Sequence, residues 1–256
     1  MTSLSVAIIT LNEERNLDRC LASVRWADEI IVVDSGSTDG TVAIAQRYGV
    51  HVSTRPFTNY SEQKNAALGL ASCDWVLSLD ADEEVSPDLG AEIRQAIADA
   101  GDRVGYYLPR LDHTFGRWLR HGLSWPQDKV RLVRRGCGQW RGAVHELLVP
   151  NGPVGRLRQP ILHHHYESIS QFVQKTDRYT TMEAEAWRAA GVRPSLWKIV
   201  LYPPGLFLYA YVWRLGALDG VQGFVLAMLL AYYTFLKRVK LWELSNRERP
   251  ASPPSS

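Results

Sequence analysis

The stretch Trp75-Val76-Leu77-Ser78-Leu79-Asp80-Ala81-Asp82-Glu83 decides how the rest of the chain is read. Five mostly apolar residues in a row predict a strand buried on both faces. Two carboxylates, one residue apart, follow it directly. Open α/β sheets place their ligands at the carboxyl ends of strands. Carboxylates gathered there repel each other unless a cation lies between them, and hard oxygen ligands suit Mg²⁺ or Mn²⁺. Such an ion is commonly shared with substrate phosphates, so Asp80 and Asp82 are candidate holders of a metal-bound diphosphate. The competing reading is a solvated acidic turn ahead of a helix that starts near Pro87, because Asp-x-Asp also occurs in turns.

Working back from this stretch, strand and helix signals alternate. Leu4 to Thr10 reads as a buried strand, followed by a polar turn at Asn12-Glu13-Glu14. Leu17, Cys20, Leu21 and Val24 recur at helical spacing. Glu29 to Val33 is a second apolar strand that ends at Asp34. Thr41 to Tyr48 reads as a helix, Val50 to Ser53 as a short strand and Ser61 to Ala71 as a helix. This order predicts an α/β fold with a mostly parallel central sheet flanked by helices and right-handed crossovers. Polar residues then follow three strands, at Thr10, Asp34 and Asp80, and would converge on one sheet edge.

Downstream, short strands are expected at Gly105 to Pro109, Val130 to Arg134 and Ala143 to Val149. Between Arg103 and Arg158 there are eleven basic residues, opposed only by Asp112, Asp128 and Glu146. A basic segment beside an acidic metal site points to an anionic partner, the alternative being a solvated charged face. The net charge of the whole chain is only +2, which argues against nucleic acid as a partner. Cys20, Cys73 and Cys137 are far apart, which fits a reducing compartment rather than a disulfide framework or zinc site. The N-terminus shows no secretion signal.

The C-terminal third differs. Leu196 to Trp213 and Val221 to Leu236 are strongly apolar and aromatic. The first is expected to be broken by Lys198 and Pro203-Pro204. The second is about one turn short of the roughly 20 residues a membrane span needs. With the basic flank Lys237-Arg238-Val239-Lys240, these segments predict helices in the membrane interface. A buried hairpin or an oligomer contact is the competing reading. The Pro/Ser-rich tail is expected to be disordered. The expected organisation is a domain over 1–195, with a nucleotide-binding half (1–103) and an acceptor-facing half (104–195). A membrane-associated segment (196–245) and the tail (246–256) follow.

Ser5-Val6-Ala7-Ile8-Ile9-Thr10-Leu11-Asn12-Glu13-Glu14, Ile31-Val32-Val33-Asp34-Ser35-Gly36-Ser37-Thr38-Asp39-Gly40-Thr41 and Asp80-Ala81-Asp82 form an ordered set. This set resembles the nucleotide-sugar-dependent glycosyltransferases of family 2, which have the GT-A fold. Gly142-Ala143-Val144-His145-Glu146, Leu162-His163-His164-His165-Tyr166, Lys175-Thr176-Asp177-Arg178-Tyr179 and Gly216-Ala217-Leu218-Asp219-Gly220 resemble one branch of that family. That branch is the lipopolysaccharide core glucosyltransferases of the WaaE type.

The resemblance implies a role for each matching residue. Thr10, Asn12 and Glu14 would frame the nucleoside, and Asp34 would accept from the base or ribose. Many family members carry a second Asp where this chain has Ser35, which leaves the base less certain. Lys64 and Asn65 would reach the diphosphate or fix the loop. Asp80 would bind the ribose or a metal-bound water, Asp82 would ligate Mn²⁺ or Mg²⁺, and His163 would supply a further ligand. Adjacent strand residues point to opposite faces, so His164 is expected away from the ion. Glu146 would be the base for an inverting transfer, with Asp128 in reserve and His145 orienting base or sugar.

The expected activity is a metal-dependent transfer of a hexose, in particular glucose, from a UDP-sugar to a lipopolysaccharide inner-core or other lipid-linked acceptor. It would take place on the cytoplasmic face of a bacterial membrane. The alternatives are a polyprenyl-phosphate or capsule sugar transferase of the same fold, or a membrane-bound nucleotide-sugar sensor. A nucleotidyltransferase would usually carry a Gly-rich phosphate loop near its N-terminus, and this chain has none there.

Overall fold

A computed structural model describes residues 2–142 and 146–246. The elements in chain order are β1 (Leu4–Thr10), α1 (Leu17–Ser23), β2 (Glu29–Asp34), α2 (Thr41–Arg47), β3 (His51–Thr54), α3 (Tyr60–Leu70), β4 (Trp75–Asp80), β5 (Glu83–Val85) and α4 (Pro87–Ala98). There follow β6 (Gly105–Thr114), β7 (Arg117–Trp118), β8 (Gln127–Arg134), β9 (Gly138–Arg141), β10 (Leu147–Pro150), β11 (Val154–Arg156) and β12 (Ile161–Tyr166). Three helices complete the described chain: α5 (Ile169–Ala189), α6 (Leu196–Leu208) and α7 (Gly220–Asn246). Packing divides the chain into two units, residues 1–112 with 126–165 and residues 113–125 with 166–256.

The first unit is built on a mixed sheet of order β3-β2-β1-β4-β8-β6-β12-β5. The β1–β2, β2–β3 and β1–β4 pairs are parallel, as the alternation of strands and helices predicts. Beyond β4 the β4–β8, β8–β6 and β12–β5 pairs are antiparallel and β11 adds to β6 in parallel, so the sheet is parallel over its first four strands and mixed beyond them. Period-2 alternation sends the two faces of β1 into different clusters. Leu4, Val6 and Ile8 join Leu77 and Leu79 of β4 and the inward faces of α1 and α4. Ala7 packs on the opposite side with Ile31, Val33, Val76 and Ala67 of α3. Each fully buried leucine or isoleucine here contributes about 1.5–3 kcal/mol.

Local signals set the helix starts. Ser86 caps α4 by accepting from the Leu89 N–H, with Pro87 in the first turn. Asn59 caps α3 through the Glu62 N–H. β6 runs five residues beyond its expected end at Pro109, and β8 starts three residues before Val130. Their antiparallel register carries the pair through Pro109↔Asp128 to Arg110↔Gln127. The strand expected at Ala143 to Val149 is represented by β10, and residues 143–145 lie outside the described residues.

In the second unit Asp219, only 4% exposed, accepts from the Arg120 and His121 N–H groups and contacts His121 Nδ1 at 3.0 Å. α5, expected within the glycosyltransferase domain, packs along α7. Two expectations need correction. α6 passes unbroken through Pro203 and Pro204 and continues as a π-helical turn at Tyr209–Trp213. It forgoes two backbone bonds but keeps packing on α7 on both sides of the prolines: Arg238 lies over the Tyr202 ring before them, and Phe207 and Tyr211 meet Phe224 edge to face after them. α7 continues ten residues past Leu236, so Gly216–Asn246 is long and apolar enough to cross a membrane. Gly216 and Gly223 are required by close approach: a Cβ on Gly223 would lie 2.0 Å from the Gly216 carbonyl oxygen. The expected disordered tail lies outside the described residues from residue 247 on.

Candidate active site

β2, β1 and β4 are neighbours, and their carboxyl ends fall side by side. Thr10 is in register with Asp34, and Ile9 with Asp80. The three polar strand ends expected from the sequence therefore share one edge. Asp34 is buried and closes its own turn, accepting from the Gly36 and Ser37 N–H groups at 2.9 Å and from the Ser37 hydroxyl. The turn after β1 is tied to the turn after β2. Asn12 Oδ1 accepts from the Thr38 N–H and Glu14 Oε2 from the Gly40 N–H, both at 2.9 Å. Asn12 adopts φ +55° to do so. Ser35 Oγ accepts from the Gln63 side chain. Thr10 Oγ1 is buried and has no hydrogen-bond partner among the described residues.

Lys64, expected near a diphosphate, is buried and bridges two carboxylates. Its Nζ lies 2.8 Å from Asp80 Oδ1 and 2.8 Å from Glu146 Oε1, over the face of Trp140. Asp80 Oδ2 accepts from Arg131 at 2.8 Å, and Arg131 also donates to Glu83 at 2.9 Å. Burial alone would raise the Asp80 pKa, but Arg131 and Lys64 hold it well below the usual carboxylate range. Both Asp80 oxygens are thus engaged by cations. Asn65 closes both backbone hydrogen bonds of Trp140. Of the two roles expected for it, the structure shows the structural one.

Asp82 and His163 face each other, with Asp82 Oδ2 3.3 Å from His163 Nε2. His163 Nδ1 lies 2.8 Å from Asp112 Oδ1. Burial would lower the His163 pKa, but Asp82 and Asp112 overcome it and raise it to about 9. A carboxylate behind an imidazole whose other nitrogen faces a second carboxylate is the usual support of a metal-bound histidine. A divalent ion in place of the shared proton fits Asp82 and His163. His165 stacks on His163 and, with Asp112, extends the group of possible ligands. His164 points elsewhere, to Glu84 at 3.0 Å, as strand alternation predicts. Asp128 is engaged by Arg156 at 2.8 Å. His145 lies outside the described residues.

Sequence reasoning missed Arg131, Asp112 and Glu83 as site residues. Arg131 carried a signal: a guanidinium in the apolar run Val130-Arg131-Leu132-Val133 must find buried anionic partners. Asp112 carried none, since its partner His163 is 51 residues away. A cavity of about 490 Å³ lined by Trp75, Ile97, Arg134 and Arg135 opens at the amino end of β4. It lies at the wrong end of that strand for the chemistry described.

The model of the family described as Glycosyl transferase family 2 matches residues 5–142. The chain is 34% identical over 252 residues to the lipopolysaccharide core biosynthesis glycosyltransferase LpsC of Rhizobium meliloti (strain 1021), covering 94% of this chain and 92% of that one. It is also 34% identical to an uncharacterized glycosyltransferase of Rickettsia bellii (strain RML369-C), covering 97% and 89%. Among solved structures, the mannosyltransferase PcManGT of Pyrobaculum calidifontis, in complex with GDP-Man and Mn²⁺, superposes with a TM-score of 0.55 at 14% identity, covering 94% and 87%.

Proposed function

The chain belongs to glycosyl transferase family 2 and has the GT-A fold, and on that premise we propose that it transfers a hexose from a UDP-sugar to a lipopolysaccharide inner-core or similar lipid-linked acceptor, with inversion. The observation that carries the site assignment is the Asp82–His163 pair at 3.3 Å with Asp112 behind it. Asp82 and His163 would hold Mn²⁺ or Mg²⁺. When bound, the ion supplies Lewis-acid stabilisation of the diphosphate leaving group.

The chain's own groups take the other roles. Thr10, with the tied turns at Asn12–Glu14 and Ser37–Gly40, would frame the nucleoside. Glu146 would take the proton of the attacking hydroxyl, held in place by Lys64. Lys64 and Arg131 fix Asp80 as an ionised strand end that receives the ribose. The acceptor class follows LpsC, and the choice of glucose follows the sequence resemblance alone.

The exposed apolar face of α6 supports a membrane-associated enzyme. α6 has no buried residue, and its Leu196, Trp197, Val200 and Leu201 are 76%, 55%, 57% and 59% exposed. The cytoplasmic face is proposed because sugar nucleotides are made there.

The test is a thermal-shift series with UDP, GDP, CMP and dTDP, each with and without Mn²⁺. Stabilisation by UDP that requires Mn²⁺ supports the reading, because a ligand of the native state raises the melting point by mass action. No shift with any nucleotide overturns it. A polyprenyl-phosphate acceptor, the second reading, attacks through a phosphate and needs no strong base. Full activity in Glu146→Gln would favour it.

A further inference from the structure

Lys129 sits on β8, half-buried, and its ammonium has neither a hydrogen bond nor an ion pair among the described residues. Across the antiparallel β6–β8 pair Lys129 stands opposite Leu108, on the same face as the neighbouring pair Arg110 and Gln127, where Arg110 donates to Gln127 at 2.8 Å; Arg131, Glu83 and Asp80 also act on its charge. Both carboxylates are already engaged, Asp80 by Lys64 and Arg131 and Glu83 by Arg131. Burial first, then Arg110 and Arg131, push the Lys129 pKa down to about 8, against the pull of Glu83 and Asp80. Further donors here also lack acceptors. Arg131 Nε and Nη1 are buried without a hydrogen-bond partner, and so is Arg110 Nε, although it lies 3.1 Å from Asp112 Oδ1. Arg110 is close enough to His163 to oppose its protonation.

A half-desolvated ammonium with no partner of its own is unfavourable, and an anion that joins it relieves that cost. A divalent ion at Asp82 and His163 would add positive charge and deepen that need. We propose that Lys129 and Arg110 form a subsite for an anionic group of a substrate, a phosphate or carboxylate, next to the Asp82–His163 pair. The inference rests on the glycosyltransferase reading and refines its substrate class. The anionic group belongs to an acceptor that carries negative charge.

The test uses the full chain and its Lys129→Met variant, with inorganic phosphate as probe. Phosphate binding is titrated calorimetrically at pH 7, with no nucleotide and with saturating UDP and Mn²⁺. The proposal expects phosphate affinity to fall at least tenfold in the variant. Loss seen in the presence of saturating UDP assigns the subsite to an acceptor anion. Loss seen only without UDP, with phosphate and UDP competing, places the anion at the donor diphosphate and overturns the proposal. Equal phosphate binding by both proteins, or by neither, overturns the proposal. The ligand-free melting temperature supplies a second readout. Removing an unpaired, half-buried charge should leave it unchanged or raise it, whereas a lysine that serves the fold would lower it and overturn the proposal. If UDP fails to bind while the phosphate difference persists, the nucleotide-sugar reading fails and the anion subsite stands.

Discussion

Lys64 Nζ lies 2.8 Å from Glu146 Oε1 and 2.8 Å from Asp80 Oδ1, so one ammonium ties the candidate base to the strand end that leads into the candidate metal ligands. Its removal would leave two half-buried carboxylates without their shared cation, Glu146 losing its partner and Asp80 keeping only Arg131. Lys64→Met is therefore expected to lower stability by about 3–5 kcal/mol, the usual cost of breaking a buried ion pair from one side. Urea denaturation measures this. A loss within ±0.5 kcal/mol would mean that the bridge is not formed in solution.

Glu146→Gln keeps the shape of the side chain and a hydrogen-bonding oxygen for Lys64, but removes the basic carboxylate. The turnover number is expected to fall about 10²–10⁴-fold, the usual range for a general base. UDP–Mn²⁺ affinity should be retained. Steady-state rates beside calorimetric UDP binding separate the two effects, and a parallel loss of UDP affinity would assign Glu146 to donor binding instead.

Asp82→Asn should abolish the Mn²⁺ dependence of UDP binding while leaving the melting temperature of the ligand-free protein within a few degrees. An unchanged Mn²⁺ requirement in the variant would remove Asp82 from the metal site.

The pH dependence follows from His163. Its pKa is raised from 6.5 to about 9, so its protonated form stabilises the metal-free protein fully below about pH 6.5. That contribution, on the order of 3 kcal/mol, is lost as pH rises through about 9. An ion can use only the neutral imidazole, so Mn²⁺ affinity is expected to rise about tenfold per pH unit up to about pH 9, with release of one proton. Calorimetry in buffers of different ionisation heat counts that proton. Affinity flat from pH 6.5 to 8.5 would exclude His163 as a ligand.

Trp197, Leu201 and Trp213 are 55%, 59% and 80% exposed. Replacing all three with serine should weaken sedimentation with anionic vesicles at least tenfold without lowering the melting temperature, since none is buried. A melting temperature that drops while vesicle binding persists would mean that these side chains serve the fold.

Legibility in the sequence followed distance along the chain. The β1–β4 order, the helix start near Pro87 and the polar ends at Thr10, Asp34 and Asp80 rest on period-2 or period-3.6 patterns and on residues within one turn of each other. All of these could be read directly. The ionic frame of the site could not. Lys64 and Glu146 are 82 residues apart, Asn65 and Trp140 are 75 apart, and Arg131 and Asp80 are 51 apart. Such partners meet only once the antiparallel β4–β8 pairing and the β9–β10 hairpin exist, and no local pattern encodes either. The length of α7 was misjudged because the apolar run stops near Leu236, whereas the helix continues through a polar segment. There Lys237 and Lys240 pair with Glu183 and Asp177 of α5.

The hydrogen bonds from the Thr38 N–H to Asn12 and from the Gly40 N–H to Glu14 belong to the fold itself. Loops that must be ordered by their ligand subtract that ordering entropy from its affinity, about 0.5–1.5 kcal/mol per immobilised side chain. Here the ordering belongs to folding, so capture of a nucleoside by these turns would be a docking event rather than a coupled folding event. The expected signature is a modest heat-capacity change and an association rate set by encounter rather than by loop closure. Loosening Asn12 or Glu14 would then show its effect as slower, more temperature-sensitive association, even though neither residue touched the base.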